Sequence, residues 1–267
     1  MNLKQLYGAL LLFTVTTNKC METQQKEIQQ LAIIKPFFNK FKTITTLTHV
    51  MDEIEHKGLS YPDYDKRTGL IFSEFWVKTQ QPEKMQEIER RKIRVLVNEK
   101  LQDYNAESSF DYPNIQKILA HKILPQIFQC IENHKWAQLP KEVFAQLYLQ
   151  RCHNGDPMDW HQDPGEYYDP MADYSLVLML GEQDDPIHGW MGGEFKVKPG
   201  LPGDNHNPID VLTIIHEQNQ GVLFNNKLNS HAVTAVLSSV QKSKRDIIVV
   251  PIFFEKQPVA IGDTTNK

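Results

Sequence analysis

The stretch DWHQDP, residues 159–164, decides how this sequence is interpreted, together with SHAV at 230–233 and Arg245. His161 and Asp163 are two positions apart, and side chains two apart on a β-strand point to the same side of a sheet. An imidazole and a carboxylate could therefore meet one cation. The triplet alone is a weak signal, because a surface histidine beside an aspartate is the more common reason for it.

A second histidine strengthens the interpretation as a metal site. His231 opens a predicted strand and follows residues 221–226, an apolar run that begins with glycine. Two imidazoles and one carboxylate on one face of a barrel form the facial triad of non-heme iron sites, which leaves coordination positions open. A structural zinc site would instead close its shell and usually recruit cysteine, yet the sequence has no Cys-X-X-Cys. We predict that His161, Asp163 and His231 hold one Fe(II).

Arg245 supplies a fourth element of the predicted site. It begins RDIIVV, residues 245–250, a strand that is apolar on both faces. A guanidinium is costly to bury there without an anion, and its planar fork matches a carboxylate. We predict that Arg245 binds the far carboxylate of a small keto acid. A rim arginine just outside the sheet is the alternative, because Lys242 and Lys244 beside it are polar.

The second half of the chain predicts a β-barrel. From about residue 141, short apolar runs are separated by Gly, Pro, Asn and Asp. Strands are predicted at 143–151, around Trp160, and at 174–180, 193–197, 210–216, 221–224, 231–237 and 245–254. The run 174–180 is almost wholly apolar, which is typical of a strand buried on both faces. Eight short strands fit a double-stranded β-helix, the jelly-roll or cupin-like architecture.

The region 21–140 is predicted to be mostly helical and to support that barrel. Helices are expected at 21–34 and 46–56, then from Pro82 to about residue 101, and from Pro113 to 131 with a kink at Pro125. One strand is expected at 70–77. The fold class is therefore α+β, with a barrel core at 141–256 and a tail at 257–267.

From about residue 141 onward the chain resembles the iron(II)/2-oxoglutarate-dependent oxygenases, and in particular the prolyl 4-hydroxylase branch. The matching pieces occur in the same order: Gly155 before the His-X-Asp triplet, GGEF at 192–195, SHAV at 230–233 and RDI at 245–247. The resemblance implies Fe(II), 2-oxoglutarate as co-substrate, O₂, and ascorbate as a candidate reductant. It also implies hydroxylation of a substrate C–H, with a protein or peptide residue such as proline as the first candidate.

The chain departs from that family at two positions. Cys152 and Met179 stand where the family often has tyrosines that help to position the co-substrate. Tyr148 and Gln150 alternate onto the same face as Cys152 and are predicted to take over that role. The alternative is that they only fill the barrel.

Two other classes of function stay open at this point. One is the same chemistry on a small molecule or an alkylated nucleic-acid base, and the other is a non-redox, cupin-like metal-binding or recognition protein. A net charge of −4 and a pI of about 6.2 argue against nucleic acid as a partner. No stretch has the length and apolarity of a membrane span.

The N-terminus allows two interpretations. Residues 6–15 are apolar, follow Lys4 and have about the length of a signal-peptide core. Asn-Lys-Cys at 18–20, however, is a poor cleavage site. Residues 1–20 are thus a leader or a first structural element; the second favours the cytoplasm, and the first a secretory or periplasmic location.

Overall fold

The computed structural model describes residues 28–56, 67–68, 72–87, 93–97, 100–104, 112–152, 157–165, 168–181, 191–203, 210–237 and 245–254. Residues 1–20, Gly58, Gly155, both lysines at 242 and 244, and the tail at 257–267 lie outside these ranges. The strands are β1 Leu31–Ile34, β2 Arg67–Thr68, β3 Phe72–Lys78, β4 Gln81–Glu87, β5 Ile93–Val97, β6 Lys100–Tyr104, β7 Glu142–Cys152, β8 Met158–His161, β9 Pro164–Gly165, β10 Tyr168–Met171, β11 Tyr174–Met179, β12 Met191–Gly192, β13 Phe195–Pro199, β14 Leu212–Ile214, β15 Gln220–Asn225, β16 Asn229–Val233, β17 Val236–Leu237 and β18 Arg245–Phe253. The helices are α1 Phe41–His56, α2 Tyr112–Ile118 and α3 Leu124–Asn133, with a π-helical segment Leu119–Ile123 between the last two.

Two antiparallel sheets make up most of the second half of the chain. The larger sheet has the strand order β1-β15-β11-β18-β7-β3-β4, with β2 also paired to β7, and the smaller sheet has the order β14-β13-β16-β8. The eight predicted barrel strands thus divide equally, with β7, β11, β15 and β18 in the larger sheet and β8, β13, β14 and β16 in the smaller. This arrangement is the double-stranded β-helix that the sequence predicted, within an α+β chain.

The two sheets enclose an apolar interior. Val177 and Met179 of β11 pack there with Ile247 of β18, and the smaller sheet contributes Phe195 and Val197 from β13. Residues of opposite parity on the same strands of the larger sheet point the other way. β11, β15 and β18 therefore each have one face toward the barrel interior and one face toward a second layer.

The second layer is helical and covers the outer face of the larger sheet. Leu147 and Leu149 of β7 and Ile248 of β18 join a cluster with buried residues of the helices, including Leu47 of α1 and Ile127 of α3. This explains why 174–180 is buried along its whole length, as the sequence predicted. The helices support the barrel by removing apolar sheet surface from water.

Two predicted helices are confirmed. α1 begins at Phe41, five residues before the predicted start at Thr46, and ends at His56 as expected. The predicted helix from Pro113 to 131 is present as α2, the π-helical segment and α3. Pro125 lacks an amide hydrogen, and the expected irregularity takes the form of the π-helical turn just before it. Among the described residues no helix has the length and apolarity needed to cross a membrane.

The expected helix at 21–34 is wrong where the structure describes it. Leu31–Ile34 forms β1, an edge strand that pairs with residues 221–224 of β15. The apolar run in this segment has the β-branched residues Ile33 and Ile34, which suit a pleated surface. Tertiary pairing with β15 therefore decides the conformation of this segment.

The expected helix from Pro82 to 101 is also wrong. Gln81–Glu87 forms β4, which turns back on β3, while β5 and β6 form a separate hairpin. Pro82 lies in the outermost strand of the larger sheet, where a missing amide hydrogen removes no ladder bond to a further strand. The support region therefore contains strands as well as helices, and its predicted boundary at residue 141 stays a prediction.

A substitution at Gly221 tests the packing of Phe37 over β15. A Cβ at this position would lie 2.5 Å from Cδ2 of Phe37 and 3.2 Å from Cδ1 of Leu176. Phe37 is fixed because its amide donates to the carbonyl of Asn219 at 2.8 Å. We expect Gly221→Ala to lower the free energy of unfolding by about 1–3 kcal/mol because the core becomes overpacked.

The matched control is Gly203→Ala, because no atom of the described residues lies within 4 Å of a Cβ at Gly203. This variant should stay within about 0.5 kcal/mol of wild type in urea unfolding. Equal stability of the two alanine variants would contradict the described packing of Phe37 over β15.

Candidate metal centre

Three predicted ligands come together on the interior face of the smaller sheet. His161 ends β8 and pairs directly with His231 of β16, so both side chains leave the sheet on one side. Asp163 follows β8 by two residues, and its Oδ1 lies 3.5 Å from Nε2 of His231 and 3.9 Å from Nε2 of His161. One ligand atom from each residue lies within 4.8 Å of the other two, so the three residues could hold one metal ion.

The hydrogen bond of His161 selects its ligand atom. Its Nδ1 lies 2.7 Å from the carbonyl oxygen of Asp159. A carbonyl only accepts, so the proton is on Nδ1 and the lone pair is on Nε2, the atom that faces Asp163. This is the outer hydrogen bond that metal-binding histidines usually make.

Burial keeps the second imidazole neutral. His231 is 4% exposed, and burial lowers its pKa to about 4, with the Asp163 carboxylate opposing the shift and His161 adding to it. As metal ligands, two imidazoles and one carboxylate would give a donor set with a net charge of −1, which a divalent cation would more than balance. Oδ2 of Asp163 is buried and has no hydrogen-bond partner among the described residues. A bound cation would satisfy this oxygen.

Asn226 fixes the backbone at Asp163. Its side-chain Oδ1 accepts from the amide of Asp163 at 2.8 Å, and its Nδ2 donates to the carbonyls of Asp163 at 3.0 Å and Ala172 at 3.2 Å. The side chain of Gln162 in turn donates to the carbonyl of Asn226 at 2.7 Å. Sequence analysis assigned no role to Asn226. The available signal was a pair of asparagines directly after the apolar run of β15.

Arg245 lies on the inner face of the larger sheet. It begins β18 and is 4% exposed, and Ile247, two residues further along, points into the apolar interior. Its Nη2 lies 3.4 Å from Nε2 of His216, a residue to which sequence analysis gave no role. Burial lowers the pKa of His216 well below its usual value, and the positive charge of Arg245 adds to the shift.

Tyr148 and Gln150 face the same interior. They pair across β7 and β18 with Val249 and Ile247, which pack among the inter-sheet residues. Both are half-buried, and the hydroxyl of Tyr148 donates to Oε1 of Gln146 at 2.9 Å. Their predicted part in co-substrate binding stays a prediction.

Asn226→Ala should weaken metal binding. The variant removes the two hydrogen bonds that hold the amide and carbonyl of Asp163 and a third to the carbonyl of Ala172. Loss of such outer contacts typically lowers metal affinity about 10- to 100-fold. Asn225→Ala is the matched control, because that side chain holds the amides of Lys227 and Leu228 instead. Competition with a chelator measures both affinities. An equal affinity in the two variants would contradict the role of Asn226.

The pKa of His231 predicts how stability depends on pH in the metal-free protein. The unfolded chain takes up a proton near pH 6.5, whereas the folded chain resists protonation down to about pH 4. The free energy of unfolding should therefore fall as the pH decreases through this window, by up to ~1.4 kcal/mol per pH unit from this group. Urea unfolding at several pH values measures this dependence. The free energy of unfolding of His231→Gln should change less with pH than that of the wild type. Identical slopes would show that His231 is not a buried neutral group.

Comparison with known proteins agrees with this architecture. No protein-family model matches the chain, and no curated protein does. The chain is similar in structure to the Fe(II)/α-ketoglutarate-dependent dioxygenase TqaL, with 12% identity, coverage of 94% of this chain and 91% of that one, and a TM-score of 0.56. It is also similar to an oxidoreductase of the 2OG-Fe(II) oxygenase family from Burkholderia pseudomallei, with 13% identity, coverage of 90% of this chain and 91% of that one, and a TM-score of 0.53.

A third similar structure is a prolyl 4-hydroxylase from Phytophthora capsici, with 15% identity, coverage of 87% of this chain and 61% of that one, and a TM-score of 0.50. Identities this low establish a shared fold, while the activity has to be argued from the site itself. The chain has the double-stranded β-helix fold of the iron(II)- and 2-oxoglutarate-dependent oxygenases, as its sequence resemblance predicted.

Proposed function

We propose that this chain is an Fe(II)- and 2-oxoglutarate-dependent dioxygenase that hydroxylates a substrate C–H bond. The observation that carries the proposal is the convergence of His161, Asp163 and His231 within 4.8 Å on one interior face. A set of two imidazoles and one carboxylate suits Fe(II) and leaves positions for a bidentate keto acid and for O₂. With these bound, the iron supplies the oxidising power for hydroxylation while 2-oxoglutarate is converted to succinate and CO₂.

The chain itself contributes metal ligands, an anion-binding arginine and apolar surroundings. Nε2 of His161 is held toward the metal position by the hydrogen bond from Nδ1 to the Asp159 carbonyl. Buried, neutral His231 needs to lose no proton to bind a metal at pH 7. None of these residues acts as a general base in the proposed reaction. The neighbouring apolar residues, which include Phe195 and Phe224, limit the access of water.

Arg245 would bind the distal carboxylate of 2-oxoglutarate. It is buried on the inner face of the larger sheet, and its guanidinium can offer two parallel hydrogen bonds to a carboxylate. Tyr148 and Gln150 line the same face and would contact the remainder of the co-substrate. O₂ would occupy the remaining metal position, and ascorbate would serve to return oxidised iron to Fe(II).

The proposed substrate is a protein or peptide residue such as proline. The resemblance of the strand motifs to the prolyl 4-hydroxylase branch supports this class. A small molecule is the main alternative, because the same fold and metal site serve both kinds of substrate. The net charge of −4 does not favour a nucleic-acid base.

Turnover of 2-oxoglutarate without a substrate tests the enzyme class. Wild-type protein supplied with 2-oxoglutarate, Fe(II), ascorbate and O₂ should form succinate slowly. The rate should be at least about 10²-fold lower in His231→Ala because one metal ligand is gone. His49→Ala is the matched control, since His49 is exposed on α1, and it should retain the wild-type rate. A cupin-like binding protein would give bound metal and no succinate.

A mass-shift screen tests the substrate class. Proline-containing peptides and a metabolite extract are incubated in parallel, and each hydroxylation adds about 16 Da. The proposal predicts the gain in peptides, with loss of the product in His231→Ala. A gain confined to metabolites would assign the small-molecule alternative.

A further inference from the structure

A second buried side chain shares the interior position of Arg245. His216 is 1% exposed and follows β14, the edge strand of the smaller sheet, whereas Arg245 belongs to β18 in the larger sheet. The contact between Nε2 of His216 and Nη2 of Arg245, at 3.4 Å, therefore joins the connection between β14 and β15 to the first residue of β18. No sequence motif predicts it, because the two residues are 29 positions apart and only Arg245 lies in a strand.

This pair is connected to the metal ligands by one aromatic ring. The ring of Phe195 lies 6.5 Å from the ring of His216 and 5.4 Å from that of His231. Phe195 is 1% exposed, so the row from His231 through Phe195 to His216 and Arg245 runs inside the barrel. Phe195 therefore contacts both the predicted metal ligand His231 and the histidine that faces Arg245.

The imidazole of His216 can accept a hydrogen bond from the guanidinium of Arg245 and carries no charge of its own. Burial and the nearby guanidinium both lower the pKa of His216, so it is neutral and Nε2 can accept from a guanidinium N–H. A distance of 3.4 Å is long for a strong hydrogen bond, so the contact orients the guanidinium without holding it tightly. The planar fork of a guanidinium matches the geometry of a carboxylate.

We propose that His216 is a positioning residue for the co-substrate: it holds Arg245 in the orientation that accepts the distal carboxylate, and so sets a preference for dicarboxylic over monocarboxylic keto acids. The inference rests on the proposed function and adds to it a residue and a selectivity. The physical reason is preorganisation. A long arginine side chain that is already ordered loses less conformational freedom when the ligand binds.

Three substitutions of His216 separate positioning from packing. His216→Phe keeps an aromatic ring against Phe195 but removes both nitrogens. His216→Gln puts an amide near the place of Nε2, the atom that faces Arg245, and His216→Asn puts an amide near the place of Nδ1. The melting temperature of each variant verifies that the fold is retained.

The readouts are the KM and kcat for 2-oxoglutarate, and its Kd from calorimetric titration into the anaerobic Fe(II) protein. In His216→Phe and His216→Asn we expect both KM and Kd to rise about tenfold, the loss expected for one hydrogen bond to a charged group, with kcat within about twofold of wild type. His216→Gln should return both constants to within about threefold of wild type. The KM for 2-oxobutyrate, which has no distal carboxylate, should be equal in all four proteins.

Four results would overturn the positioning role. Two concern binding: an unchanged Kd for 2-oxoglutarate in His216→Phe, or an equal increase of Kd in the phenylalanine and glutamine variants. Two concern turnover: a fall in kcat at constant KM, or an increase of the KM for 2-oxobutyrate equal to that for 2-oxoglutarate. Failure of the proposed function has a different signature. In that case wild-type protein itself neither binds nor consumes 2-oxoglutarate, and the inference falls together with the function.

Discussion

The direct pairing of His161 with His231 across β8 and β16 is the constraint on which the rest of the site depends. Successive side chains on a strand point to opposite faces, so a slip of one residue would turn one imidazole away from the interior. On its other side β16 pairs with β13, where Val197 is opposite His231 and Phe195 is opposite Val233. The register of the smaller sheet therefore places both histidines and the apolar wall beside them at the same time.

The start of β18 is held by contacts on both faces of the strand. Arg245 points into the barrel, while the next residue, Asp246, accepts two hydrogen bonds from Arg151 on the outer face, at 2.7 and 2.6 Å. Arg151 also contacts Asp52 of α1 at 2.9 Å. Breaking a buried ion pair by removing one partner is costly, so this pair anchors the strand end that carries Arg245. The helical layer thereby helps to position Arg245, although it supplies none of the predicted metal ligands.

The sequence predicted the parts of this structure that depend on local patterns. Short apolar runs between turn residues located the barrel strands, and the two-residue spacing of His161 and Asp163 located one half of the predicted metal site. The prediction of a helix from Pro82 was wrong because an apolar residue every few positions is compatible with a strand as well as with a helix. The pairing of β4 with β3 selects the strand. β1 was missed for a similar reason, since its partner β15 is nearly 190 positions further along the chain.

Asn226 and His216 show the other limit of sequence analysis. Each acts on a residue that is remote in sequence: Asn226 lies 63 positions from Asp163, and His216 lies 29 positions from Arg245. Asparagine in a turn and histidine after a short strand have many ordinary explanations, so neither residue type identifies its partner. Only the folded barrel shows which atoms they meet. Supporting residues of a site are therefore harder to predict than the ligands, whose chemistry restricts them to a few residue types.

X-ray absorption at the iron edge of the anaerobic Fe(II)-loaded protein tests the central claim most directly, because it reports the ligands and does not depend on the substrate. The account predicts that two imidazole rings and oxygen ligands, with no sulfur, surround each iron, and that one imidazole contribution disappears in His161→Ala. A spectrum with a sulfur ligand, or with fewer than two imidazoles in the wild-type protein, would contradict the convergence of His161, Asp163 and His231 on one metal.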